Sequence, residues 1–219
     1  MASYLCSLIR SFTFAVIAAS SLLARPSRAD TPAPPPSADG AQTYADFGHG
    51  KQEIAIAGGY GFGVGIGGSN SGNQKETRYA ALVPRWGIGL TDPLGEGTWY
   101  KGNLDLLVEG AFLFQYHPVN GFAGGGTLIF RYNFLQYERL IPFIEAGGGI
   151  VGTDLDLKGQ SDGFNFSLQG GLGLHFFLSP RLALTAEARL HHISNAGLRQ
   201  PNDGINDILF LAGASFFLR

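Results

Sequence analysis

The sequence predicts an all-β protein, an eight-stranded antiparallel transmembrane β-barrel of outer-membrane type, and three observations carry that expectation. The apolar signal from about residue 51 onward has a period of two rather than 3.6, and it recurs in many segments separated by turn residues. These alternating runs are long for strands of a soluble protein. The chain carries 33 glycines and 12% aromatic residues, a composition that suits a narrow lumen inside an aromatic-rich outer surface.

The N-terminal elements read differently. Arg10, the apolar run Phe12 to Leu23 and the small-residue boundary Ser27-Arg28-Ala29 have the order of a secretory signal peptide, expected over residues 1–29. The run falls short of the roughly 20 apolar residues that a spanning helix needs, and no later segment approaches that length. Residues 30–50, with Pro32, Pro34, Pro35 and Pro36, read as a flexible lead-in. The barrel is expected over 51–219.

Removing Arg10, Arg25 and Arg28 with the signal leaves 12 basic against 17 acidic side chains, a formal charge of −5. That balance argues against nucleic acid as a partner. The single cysteine, Cys6, lies inside the signal, which excludes internal disulfides, a thiol nucleophile and cysteine-rich metal sites from the mature chain. His117 and His175 lie on separate strands without metal-ligand spacing, and no metal or other cofactor is expected.

Strands are expected near 51–66, 76–91, 98–116, 121–134, 138–152, 163–178, 181–194 and 205–218. In the first, Gly59, Gly61, Gly63 and Gly65 share the inward face. The third places Leu104, Leu106, Val108, Phe112, Phe114 and Tyr116 opposite Asn103, Asp105, Glu109, Gln115 and His117. The fourth sets Phe122, Leu128, Phe130, Tyr132 and Phe134 against Thr127, Arg131 and Asn133. The sixth sets Phe164, Phe166, Leu168, Leu172, Leu174, Phe176 and Leu178 against Asn165, Ser167, Gln169 and His175. The seventh aligns Leu182, Leu184, Ala186, Ala188 and Leu190. The eighth aligns Asn206, Ile208, Phe210, Ala212, Ala214, Phe216 and Leu218.

A soluble lipocalin-like barrel would alternate as well, with its large apolar residues inside. Glu53, Asp105, Glu109, Arg131, Glu187 and Arg189 oppose the large apolar residues of their strands, and in a lipid-embedded barrel they would neutralise one another in a packed lumen. Strand length, aromatic content and glycine usage favour the membrane version. Eight strands enclose a lumen filled by side chains, so a diffusion channel is a poor expectation.

The connections around Asp92 to Gly97, Leu135 to Tyr137 and Ser179-Pro180 are short, whereas Gly67 to Lys75 and Thr153 to Asp162 are longer and polar. With both termini periplasmic, the longer loops face outside, and the end of the seventh strand lies at the outer leaflet. Continuing that strand's parity brings His192 and Ser194 onto the lipid side, where an imidazole and a hydroxyl need partners or a function. Two residues apart on a strand, they share a face as a base and a nucleophile must. Asn206 can neighbour His192 across the strand pair. His191 has lumen parity and reads as a satisfied core polar group.

The stretch His192-x-Ser194-Asn195-Ala196-Gly197-Leu198, followed by Gln200-Pro201-Asn202-Asp203-Gly204, resembles the active-site segment of the PagL-type lipid A 3-O-deacylases, eight-stranded outer-membrane barrels that remove an ester-linked acyl chain from lipopolysaccharide. Ile141-Pro142-Phe143-Ile144-Glu145-Ala146-Gly147 also looks like a family-typical strand. The resemblance implies Ser194 as nucleophile, His192 as general base and then acid, and Asn195 with backbone amides near Ala196 and Gly197 as oxyanion donors. It implies lipopolysaccharide and outer-membrane lipids as partners, with a second copy of the chain as a further candidate, and location in the bacterial outer membrane. The family pattern has a glutamate where this chain has Asn206. Asp207 is the candidate substitute acid, but alternation sends it to the lumen unless a bulge shifts the register. Lys75, Arg78, Lys158 and Arg199 near the outer loops are candidate contacts for lipid A phosphates, and each reads equally as a solvated loop charge. The alternative is a weakly active or inactive barrel of the same fold with a structural or lipopolysaccharide-binding role.

Overall fold

The computed structural model describes residues 46–65 and 75–218, and the expected signal peptide and most of the Pro-rich segment lie outside these residues. Eight strands follow in order: β1 (Gln52–Gly63), β2 (Arg78–Gly89), β3 (Gly102–His117), β4 (Gly121–Phe134), β5 (Leu140–Asp154), β6 (Gly163–Ser179), β7 (Leu182–Ser194) and β8 (Ile205–Leu218). Each pairs antiparallel with the next, and β1 also pairs with β8, which closes the barrel. Closure leaves no unpaired edge, so every strand's backbone groups are satisfied within the sheet.

The period-two signal sorts side chains between the two faces. Leu128, Phe130, Ile144, Leu184, Leu190 and Phe210 project outward and are exposed, while their strand neighbours are buried in the lumen. This is the reverse of a lipocalin-like interior and makes an apolar exterior of the kind that lipid solvates. Strand curvature brings neighbouring backbones very close at the small inward positions. A Cβ on Gly147 or Gly149 would stand 2.0 Å from the carbonyl oxygen of Leu128 or Gly126, so only glycine fits at these two sites.

The lumen is layered. Near the end where β7 terminates, Tyr79, Val83, Leu113, Val151, Ile193, Ile205 and Leu209 belong to an apolar cluster. At the opposite end Phe177 and Phe217 pack with Phe47, whose ring lies 6.0 and 5.3 Å from theirs. Phe47, from the segment read as a lead-in, is thus part of the packed lumen.

Between these clusters three arginines hold four glutamates. Arg85 reaches Glu109 at 2.6 Å and Glu187 at 2.7 Å. Arg131 reaches Glu53 at 3.1 Å, Glu145 at 3.2 Å and Glu187 at 3.3 Å. Arg189 reaches Glu109 and Glu145, both at 2.7 Å, and Glu187 at 2.8 Å. Burying charge is costly unless it is paired and hydrogen-bonded, as these seven groups are. The six inward charges expected from parity are all buried; five of them join this belt, which Arg85 and Glu145 complete, while Asp105 instead accepts from Asn103 at 2.5 Å and Asn133 at 2.6 Å.

Glu53 is the least tied member, because it shares Arg131 with two other carboxylates and its Oε1 has no hydrogen-bond partner among the described residues. Glu53→Gln is therefore expected to keep the barrel folded and change its stability by no more than about 1 kcal/mol, measured by urea unfolding in detergent. A much larger loss would mean that the belt acts as a single indivisible unit.

Candidate active site

The alternation of β7 places His192 and Ser194 on the outer face at the strand's end, and the ladder sets His192 opposite Asn206 on β8. No register shift interrupts this pair of strands. His192 Nδ1 lies 2.6 Å from Asn206 Oδ1, and His192 Nε2 lies 2.9 Å from Ser194 Oγ. A carboxamide oxygen can only accept, so Nδ1 carries the ring proton and Nε2 presents its lone pair to the serine hydroxyl. The three residues thus form a continuous chain in which the hydroxyl proton has a base to go to.

All three are half-buried, open on the outer face and backed by the sheet. Across β6, Phe166 pairs with Ser194 and Leu168 with His192. Leu190 and Ile208 form the outward rung two residues down the strands, and Phe210 follows on β8. An apolar track therefore runs from the hydroxyl along the exterior.

Beyond Ser194 the chain enters a loop that Asn195 organises. Asn195 is 1% exposed, and its Nδ2 donates to Ser161 Oγ at 2.7 Å and to the Arg199 carbonyl at 3.0 Å. Its Oδ1 accepts the Gly197 N–H at 2.9 Å, and its own backbone N–H donates to Asn202 Oδ1 at 2.9 Å. Of the three residues expected as oxyanion donors, Asn195 and Gly197 thus have these N–H groups committed within the loop. Ala196, exposed with φ at +55°, has a backbone N–H for which the described residues offer no acceptor. Gly197 follows at φ +82°, a left-handed pair of residues that turns the amides sharply at the strand's end.

Sequence reasoning did not reach the supports of this loop. Gln160 Oε1 accepts the Gly204 N–H at 3.0 Å, and its Nε2 donates to Asn165 and Asn202. The Ser161 N–H donates to the Pro201 carbonyl at 2.8 Å. Gly204, with φ at +75°, lies against the imidazole, and a Cβ there would stand 2.8 Å from His192 Cε1. The polar 153–162 connection was the one available sign that this loop would brace the site.

Asp207 faces the lumen and lies within hydrogen-bonding distance of Tyr79 and His191, not His192. Arg199 is exposed, its Nη1 donating to the Asp162 carbonyl at 3.2 Å, and Lys158 is exposed in the same group of loops. Lys75 and Arg78 lie at the β1–β2 end, where Arg78 sits 6.0 Å from the Phe62 ring centre. Among the described residues no three His, Cys, Asp or Glu side chains are grouped to hold a metal ion.

Comparison with known proteins identifies the fold and the family of the chain. A crystal structure of the outer membrane enzyme PagL superposes with a TM-score of 0.52 at 22% identity, over 75% of this chain and 98% of that one. Neisserial surface protein A superposes with a TM-score of 0.51 at 16% identity, over 78% and 99%. At such identities these likenesses establish the fold. The lipid A deacylase PagL of Pseudomonas aeruginosa is 39% identical over 80 residues, which is 35% of this chain and 43% of that protein, so the match spans less than half of the relative's length. The family model described as lipid A 3-O-deacylase (PagL) matches residues 61–215, nearly the whole barrel and all of the Ser194–His192–Asn206 site. The chain belongs to the lipid A 3-O-deacylase (PagL) family.

Proposed function

We propose that the chain is a serine esterase of the bacterial outer membrane that hydrolyses an ester-linked acyl chain of lipid A, at the 3-O position. The observation that carries this reading is the hydrogen-bonded chain Ser194–His192–Asn206 opening onto the lipid-facing rim of the barrel. A soluble ester would find no binding surface there, whereas a lipid anchored in the same leaflet can lay an acyl chain along Phe166, Leu168, Leu190 and Phe210.

In this mechanism Ser194 Oγ attacks the ester carbonyl as its proton passes to His192 Nε2. The Ala196 N–H, which has no acceptor among the described residues, is the donor for the oxygen that becomes negative, with the turn at Gly197 shaping its approach. The tetrahedral intermediate collapses as His192 returns the proton to the departing sugar oxygen, which leaves an acyl-serine. Water, deprotonated by His192, then releases the fatty acid and restores Ser194. Lipopolysaccharide is the partner in this reading, and Lys158 and Arg199 in the loops beside the site are suited to its phosphates.

The detergent-refolded protein is expected to remove one hydroxyacyl chain from purified lipid A, read as a single mass decrement by mass spectrometry. An unchanged lipid A spectrum from a barrel shown to be folded by heat-modifiable gel mobility would reject the hydrolase. It would favour the second reading, a structural or lipopolysaccharide-binding barrel. One observation supports that alternative, namely the uncharged carboxamide of Asn206 at the histidine's far side.

A further inference from the structure

Two histidine pairs occupy consecutive rungs of the β7–β8 ladder, on opposite faces of the barrel wall. His192 pairs with Asn206 outward, and His191 pairs with Asp207 inward. Asp207 Oδ1 accepts from the Tyr79 hydroxyl at 2.5 Å and lies 3.2 Å from His191 Nδ1. His191 Nε2 lies 2.9 Å from Ser167 Oγ. The ring is thus held at both nitrogens, Nδ1 against the carboxylate and Nε2 against the Ser167 hydroxyl. The residue types are those of a second hydrolytic triad, but Ser167, His191 and Asp207 are 2%, 5% and 1% exposed, so no ester can reach them.

No permanent cation faces this carboxylate, whose ion-pair partner among the described residues is His191, paired only when that ring is protonated. Among the described residues no lysine or arginine forms an ion pair with Asp207, and its Oδ2 is buried without a partner. The three lumen arginines are committed to Glu53, Glu109, Glu145 and Glu187. Ile193, Ile205 and Leu209 flank the carboxylate along β7 and β8 inside the lumen, so little solvent screens its field.

Proton transfer from Ser194 makes an imidazolium at His192. Asn206 holds that ring in orientation but brings no opposing charge. We propose that Asp207 is a positioning residue of the Ser194–His192 site, supplying from the lumen side of β8 the negative charge that Asn206 lacks. The proposal rests on the hydrolase reading above for its substrate but not for its test. Regular alternation keeps the carboxylate from touching His192, so its effect is through the strand and smaller than that of a direct partner.

The test is the rate at which a fluorophosphonate, a general probe of activated serines, labels Ser194 in the folded barrel. Asp207→Asn is expected to slow labelling about tenfold, far less than the roughly 10⁴-fold lost when a direct carboxylate partner becomes an amide. With Asn206→Glu already present, a carboxylate touches the ring directly, and the loss on adding Asp207→Asn shrinks to under about threefold. Asp207→Ser gives the same comparison if the asparagine variant folds poorly. Labelling of Asp207→Asn within twofold of the parent, or an equal loss in both backgrounds, would overturn the proposal, the latter by marking a purely structural role. A parent that is not labelled at all overturns it too. Normal labelling without lipid A cleavage would sink the substrate reading and leave the role of Asp207 standing.

Discussion

Ser194→Ala is expected to lower lipid A deacylation by on the order of 10⁴-fold or more while the barrel folds as before. The size follows from the proposed mechanism, since the Ser194 hydroxyl lies 2.9 Å from His192 Nε2 and is the group that this base would deprotonate. Folding is unaffected because the Oγ lies at the half-buried outer rim, where its removal creates neither a cavity in the lumen nor an enclosed unpaired group. Mass spectrometry of lipid A, run beside heat-modifiable gel mobility, separates the two effects. Retention of more than a few per cent of the parent's rate would mean that Ser194 is not the nucleophile. Ser167, the other serine beside a histidine, could not explain such retention, being enclosed in the lumen.

The architecture was legible because alternation reports the face of each residue directly. The fourth and eighth strands were expected at 121–134 and 205–218, the ranges observed. Others shifted where glycine blurs the hydropathy signal, as in β1, expected to reach 66 and ending at Gly63. The inward charges could be sorted by parity, but not into pairs. Arg85 meets Glu187, and Arg189 meets Glu109, across strands far apart in the chain. Those meetings depend on how the closed sheet is tilted and staggered, which no local pattern encodes.

The same distinction holds at the site. His192, Ser194 and Asn206 lie on one hairpin, where alternation alone brings them together. The commitment of Asn195 to Ser161 and of Gln160 to Gly204 joins loops from two different hairpins. Asparagine and glutamine in a polar loop carry no sign of which partner they will find. Hence the juxtaposition of His192, Ser194 and Asn206 was readable, while which N–H groups of Asn195, Ala196 and Gly197 are hydrogen-bonded required the folded loop.

Asn206→Glu is expected to raise the turnover of lipid A about 10²-fold at neutral pH. A carboxylate accepting from His192 Nδ1 would hold the same tautomer as the present carboxamide and also oppose the imidazolium charge formed on attack. The gain is smaller than the roughly 10⁴-fold separating acid from amide in a serine triad that has no other carboxylate nearby, because Asp207 already supplies part of the field. The half-buried outer position of Asn206 leaves room for one more methylene toward the lipid side, so the barrel is expected to fold normally. The gain should appear in kcat with KM nearly unchanged, since the charge acts on the transition state rather than on the bound lipid. A parent without activity and an Asn206→Glu variant with it would identify this chain as a barrel whose catalytic chain was one carboxylate short. Equal rates in the two would show that Asn206, with Asp207 behind it, already meets the electrostatic demand of the reaction.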